Sequence, residues 1–149
     1  MDNAAQSAEH MLTQAFGTRM KAHGGGSIDN VGSTYALSAP DQSIYRDDDG
    51  KQVFFKSAGY PVAKAGVVHL SKYCAAYWGH DGVRVNVLCP GGVFDDQEPG
   101  FVKRYAQRTP MGRMAEPTDY NGACVFLMSD ASAYMTGSVV SVDGGGTTW

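Results

Sequence analysis

At 149 residues the chain is long enough to bury a core and short enough for one domain, so the expected organisation is a single unit over 1–149. A net charge of −3 removes the electrostatic case for nucleic acid or an anionic membrane as partner. Cys74, Cys89 and Cys124 show no C-x-x-C spacing and the four histidines are scattered, which argues against a disulfide framework and a metal centre and fits a reducing cytoplasm.

No apolar run reaches membrane-spanning length, and Met1–Gln6 lacks a basic-then-apolar leader. From Ala4 to Ala22, the residues Ala8, Met11, Leu12, Ala15, Phe16 and Met20 recur at spacings of three and four, which predicts an amphipathic helix stopped by Gly24-Gly25-Gly26. Ser27 to Val31 is short enough for a strand. Residues 34–59 carry no sustained period and hold Pro40, Asp41 and Asp47-Asp48-Asp49-Gly50, so a long surface loop is expected there. Helical spacing returns from Val62 to Trp78 through Ala63, Val67, Leu70, Cys74 and Tyr77.

Val83 to Leu88 is β-branched and apolar, as a buried parallel strand would be, and Cys89-Pro90-Gly91-Gly92 ends it. A short helix is expected near Phe101–Gln107. Ala115-Glu116-Pro117 opens another, with the proline where a first turn tolerates it. Ser138 to Val142 reads as the last strand, before Asp143-Gly144-Gly145-Gly146. Strand and helix alternate with short turns, the order of a parallel sheet wrapped by helices, so the fold class is α/β.

Tyr60 and Lys64 stand four residues apart at a helix start, on one face and one turn apart. An ammonium near a phenol favours the phenolate, which makes the hydroxyl usable as an acid or base near neutrality. The pair alone is equally a surface lysine beside a packed tyrosine. Ser33 follows a strand at the carboxyl end, where open α/β sheets bind ligands, and is otherwise a turn or N-cap serine. Pro90-Gly91-Gly92-Val93 lies at the same edge, and is otherwise a strand-ending turn. Three such features at successive element ends of one sheet make coincidence a poor account.

Taken with Gly26-Ser27-Ile28, Asn30-Val31-Gly32-Ser33, Tyr60-x-x-x-Lys64-Ala65-Gly66, Gly82-Val83-Arg84-Val85-Asn86, Pro90-Gly91-Gly92-Val93, Ser129-Asp130-Ala131-Ser132-x-Tyr134-x-Thr136-Gly137 and Val142-Asp143-Gly144-Gly145, the chain resembles the short-chain dehydrogenase/reductase family along nearly its whole length. The resemblance implies a Rossmann-like fold and an enzyme that moves a hydride between NAD or NADP and a small-molecule carbonyl or alcohol, with a homo-oligomer expected. It makes Tyr60 the acid or base, Lys64 the residue that tunes Tyr60 and holds the nicotinamide ribose, and Ser33 the hydrogen-bond partner of the substrate oxygen. Pro90, Gly91, Gly92 and Val93 would line the nicotinamide. The family's relay asparagine falls nearest Asn3, although the helix register points closer to Ala5.

The family's T-G-x-x-x-G-x-G phosphate loop is absent from these residues, because Gly24-Gly25-Gly26 precedes a strand instead of joining a strand to a helix. The expectation is therefore the C-terminal half of such an enzyme. The alternative is an inactive fragment acting as a partner-binding module or as half of a split enzyme. Three further departures stand out. Asp29 occupies a strand position where the family has an apolar residue, and the Ser33–Tyr60 gap is wide enough to be an insertion beside the site. Asp95 also replaces a threonine common in the family.

Overall fold

The computed structural model describes residues 2–149, with side chains described from Ala8 onward. Helix α1 (Asp2–Ala22) leads into strand β1 (Gly26–Val31), and α2 (Gly59–Trp78) leads into β2 (Val83–Pro90). Helices α3 (Pro99–Gln107) and α4 (Asn121–Met128) precede β3 (Val139–Val142). The strands form a parallel sheet in the order β1-β2-β3, with Gly26 opposite Val83 and Val87 opposite Val139. The α/β class read from the alternation of periods is the class observed.

Side-chain alternation along β1 and β2 sets the layers. Ile28 packs with Cys74, Ala75 and Trp78 of α2 and with Val83 and Val85 of β2. The next inward residue, Asn30, donates to Ser71 of α2 at 2.8 Å and accepts from Thr13 of α1 at 3.1 Å, so a buried polar chain ties α1, β1 and α2 together. The opposite face is held differently. Ser27 donates to the Leu127 carbonyl of α4, and Arg84 donates to the carbonyls of Leu127, Ser129 and Met135 and to the Ser132 hydroxyl. Asn86 donates to the Met135 carbonyl and accepts from the Ser138 amide. The Gly82–Asn86 and Ser129–Gly137 blocks are thus two halves of one clasp. Two of the carbonyls that the half-buried Arg84 reaches, those of Leu127 and Ser129, stand at the carboxyl end of α4, where helix carbonyls lack intrahelical partners.

Helix α2 starts at Gly59, three residues earlier than the apolar periodicity predicts, so Tyr60 and Lys64 both lie in its first turns. Helix α3 likewise begins earlier, because Glu98 caps it by accepting from the amides of Gly100 and Phe101. Pro117 opens a 3₁₀ turn (Pro117–Tyr120), and α4 follows it.

The 34–59 segment is not a bare loop. It contains two 3₁₀ turns, Thr34–Ala36 and Gln42–Tyr45, and an antiparallel bridge between Arg46 and Gln52. It is fastened to α3 at several points. Arg108 pairs with Asp41 at 2.9 Å, Arg104 pairs with Asp48 at 2.8 Å and donates to the Ile44 carbonyl, and Tyr45 stacks on Phe101. Ile44 is buried at the centre of this contact. Among the described residues no helix is long and apolar enough to cross a membrane.

Candidate functional site

The carboxyl ends of β1 and β2 open on one side of the sheet, and the chain leaving each supplies a wall. From β1 the backbone runs through Gly32, whose amide donates to the Leu88 carbonyl, to Ser33. Ser33 is buried and caps the Thr34–Ala36 turn, its Oγ accepting from the Tyr35 amide at 3.1 Å. The turn-capping role open to this serine in the sequence is therefore real. It uses an acceptor lone pair and leaves the O–H free to donate.

From β2 the chain runs through Pro90 into Gly91, Gly92 and Val93, and almost every backbone group there is engaged. The Gly91 amide donates to the Val142 carbonyl, and its carbonyl accepts from the Tyr120 hydroxyl. The Gly92 carbonyl accepts from the Ala115 amide, its N–H donates to the Tyr105 hydroxyl, and the Val93 carbonyl accepts from the Gln97 side chain. A Cβ on Gly92 would come within 2.9 Å of the Tyr105 ring, so this glycine is required by packing as well as by any ligand. Burial pushes the Tyr105 phenol upward against the opposing effect of the Gly92 N–H, which keeps the phenol neutral.

Between these walls lies a cavity of about 340 Å³, and Ser33, Tyr60, Pro90, Gly91, Gly92 and Val93 all line it. Lys64 does not. Its ammonium turns under the site to donate to the Val31 carbonyl at 2.7 Å, with Glu9 3.9 Å away. It lies at the carboxyl end of β1, one turn along α2 from Tyr60. Asn3 belongs to the residues whose side chains lie outside the described part. Asp95 is exposed, and its amide donates to the Gln97 side chain.

Among the wall residues that sequence reasoning missed are Tyr105 and Lys56. Tyr105 approaches from α3, and no local pattern singles it out. Lys56 lies at the end of the insertion, four residues before Tyr60, with its ammonium 4.5 Å from the Tyr60 ring centroid and 5.9 Å from that of Tyr35. A lysine on either side of a tyrosine at four-residue spacing was a visible signal, but only the downstream one matched a pattern. Tyr35 meets Tyr60 edge-on and shares a 3.2 Å hydrogen bond with the Tyr45 hydroxyl. Burial first, then that hydrogen bond, pushes its phenol far above the ordinary range.

The site thus brings the buried Ser33 and half-buried Tyr60 hydroxyls into one cavity with the side-chain-free Gly91-Gly92 turn. This arrangement can orient and protonate one oxygen of a small ligand. For a nicotinamide nucleotide the fit is partial. The cavity and its glycine wall suit the nicotinamide end, whereas Lys64 lies outside the cavity lining, bound to the Val31 carbonyl. Among the described residues no glycine-rich turn joins a strand to a helix to seat a pyrophosphate.

Comparison with known proteins gives the lineage. The family model described as enoyl-(acyl carrier protein) reductase matches residues 5–147. The chain is 34% identical to galactitol 2-dehydrogenase (L-tagatose-forming) of Cereibacter sphaeroides over 92% of its own length and 52% of that protein's. A short-chain dehydrogenase of Leptospira borgpetersenii crystallised with NAD+ superimposes with a TM-score of 0.82 at 38% identity, over 91% of this chain and 50% of that one. A gluconate 5-dehydrogenase of Burkholderia cenocepacia, in complex with NADP and tartrate, superimposes with a TM-score of 0.77 at 30% identity, over 91% and 50%. The chain belongs to the short-chain dehydrogenase/reductase family, and it spans about half the length of the relatives it matches.

Proposed function

We propose that this chain is the C-terminal, substrate-binding half of an NAD- or NADP-dependent oxidoreductase that interconverts an alcohol and a carbonyl on a sugar-derived substrate. The observation that carries the reading is the shared cavity, which Ser33 and Tyr60 line together with the Pro90–Val93 strand end. Relatives named for galactitol and gluconate supply the substrate class.

In this reading the Ser33 hydroxyl, held by its cap bond to Tyr35, donates to the substrate oxygen and fixes its position. Tyr60 gives that oxygen a proton when a carbonyl is reduced and takes it back when an alcohol is oxidised. Lys64, anchored on the Val31 carbonyl, holds the nicotinamide ribose, and Pro90–Val93 supply a flat wall for the ring. The bound nicotinamide supplies or accepts the hydride. Tyr105 keeps Gly92 in place through its hydrogen bond, so the wall does not shift as ligand enters.

A second reading keeps the fold and drops the chemistry: a partner-binding fragment, or half of a split enzyme. The outer edge of β1 favours it, since β1 pairs only with β2 among the described residues.

The test is titration of the purified chain with NADH and NADPH by nicotinamide fluorescence, followed by turnover assays with a polyol panel. We expect saturable binding and a turnover that Tyr60→Phe lowers by roughly 10²–10⁴-fold, the usual contribution of a general acid–base group. A folded chain that binds neither nucleotide removes the first reading and leaves the second.

A further inference from the structure

We propose that Lys56 makes this cavity a site for a hydroxy- or oxo-acid, its ammonium receiving the substrate carboxylate beside the Tyr60 hydroxyl. The proposal rests on the oxidoreductase reading for the identity of the reacting oxygen, but not for the binding of the acid.

Three observations carry it. First, Lys56 is the one formally charged residue among the cavity walls, which otherwise present hydroxyls, an amide, aromatic rings and backbone. Second, its ammonium has no counter-charge. None of the ion pairs among the described residues includes it. Of the insertion's carboxylates, Asp41 is engaged by Arg108, Asp48 by Arg104 and Asp47 by the Lys51 amide. Third, the lysine is placed by design of the backbone and not by chance of a flexible loop. The Gln42 side chain clamps the Lys56 main chain at both ends, accepting from its N–H at 2.9 Å and donating to its carbonyl at 3.1 Å. Gln52 in turn donates to the Gln42 carbonyl at 2.7 Å. This ladder delivers the ammonium to the face of Tyr60.

A cation held over two aromatic faces in a half-enclosed cavity is partly stripped of water, and the rings return only part of that hydration. A neutral polyol offers it hydroxyl dipoles. A carboxylate offers a charge-assisted hydrogen bond and cancels the field. Because the ammonium stands against the same ring that carries the reacting hydroxyl, the carboxylate would lie close to the carbon whose oxygen meets Tyr60. The insertion that brings Lys56 is then a specificity device.

The experiment is a chemical-shift titration of the isotopically labelled 149-residue chain with D-gluconate and with sorbitol, repeated with excess NAD+ and with excess NADP+. The two ligands share a six-carbon polyhydroxy skeleton and differ in one end group. Gluconate carries a hydroxyl on every carbon beyond its carboxylate, so it presents one at any spacing. We expect gluconate to bind about tenfold tighter than sorbitol, the scale of one charge-assisted hydrogen bond. Lys56→Met should erase the preference without weakening sorbitol binding, and Lys56→Arg should restore it. Equal binding of both ligands, binding of neither, or a preference that survives Lys56→Met overturns the proposal. Nicotinamide turnover followed in parallel separates the two readings. Turnover indifferent to Lys56→Met leaves the oxidoreductase standing and removes the acid site. A Lys56-dependent gluconate preference with no turnover does the reverse.

Discussion

Asp29 sits in the middle of β1 on the face it shares with Ser27, where the resemblance calls for an apolar side chain. One of its carboxylate oxygens is buried without a hydrogen-bond partner. Burial pushes the carboxyl up to about 6, and a backbone hydrogen bond from Leu88 opposes it only in part. That β1 is an edge strand therefore does not relieve the carboxylate. The folded state prefers the protonated form, so the penalty is absent below about pH 4, where Asp29 is neutral in both states. It grows as pH rises toward 6 and stays in full above that. Allowing for the solvent that still reaches the residue, Asp29→Asn should stabilise the fold by about 1–2 kcal/mol at pH 8. Urea unfolding of both proteins at pH 4 and pH 8 checks it, and a difference independent of pH would refute the assignment. The sequence marked this position because the family it resembles has an apolar residue there. The sequence held no such mark for Lys64's bond to the Val31 carbonyl, which joins residues 33 apart and follows from how α2 lies over β1.

The contact of α1 with α2 depends on Gly17. This residue lies inside the apolar run that predicts α1, where glycine costs helix stability relative to alanine. Packing explains it. A Cβ at Gly17 would enter the Trp78 ring, approaching Cε3 at 2.6 Å, and Trp78 is only 5% exposed. Gly17→Ala gains helix propensity but must displace α1 or turn the indole, so a net loss of about 1–2 kcal/mol is expected. A lowered melting temperature with red-shifted tryptophan emission is the signature, and an unchanged melting temperature would mean that the helices separate at no cost. Periodicity revealed α1 and α2 because each buries one stripe of its own length. The insertion showed no period because its order comes from elsewhere: Arg104 reaches back 56 residues to Asp48 and 60 to Ile44. Arg104→Ala should accordingly speed amide exchange over residues 41–48 while changing global stability by less than about 1 kcal/mol, the scale of exposed ion pairs. Protection that is unchanged in this segment would show that Ile44 and the Tyr45–Phe101 stack hold it alone.

Across the whole molecule, two surfaces compete to bring copies together. One is the outer edge of β1, ending at the half-exposed Val31. Unpaired strand edges pair readily with other strands. The other is the helical side, where Met11, Leu12 and Phe16 of α1 and Tyr73 and Tyr77 of α2 are all more than half exposed, the two tyrosines stacked on each other. Isolated exposed apolar residues need no explanation, but five on two packed helices exceed what scattered exposure gives. An edge strand buries little apolar area unless side chains close over it, whereas two helix pairs meeting face to face bury several aromatic rings at once. We therefore expect a homo-oligomer assembled through α1 and α2. Sedimentation should show the parent chain above monomer mass, Phe16→Glu combined with Tyr73→Glu as monomer, and Val31→Lys unchanged. The opposite pattern, with Val31→Lys alone dissociating it, would make the β1 edge the interface and favour the split-enzyme reading, since that edge would then pair with any strand offered to it. A strictly monomeric parent would exclude both surfaces as sites of self-association.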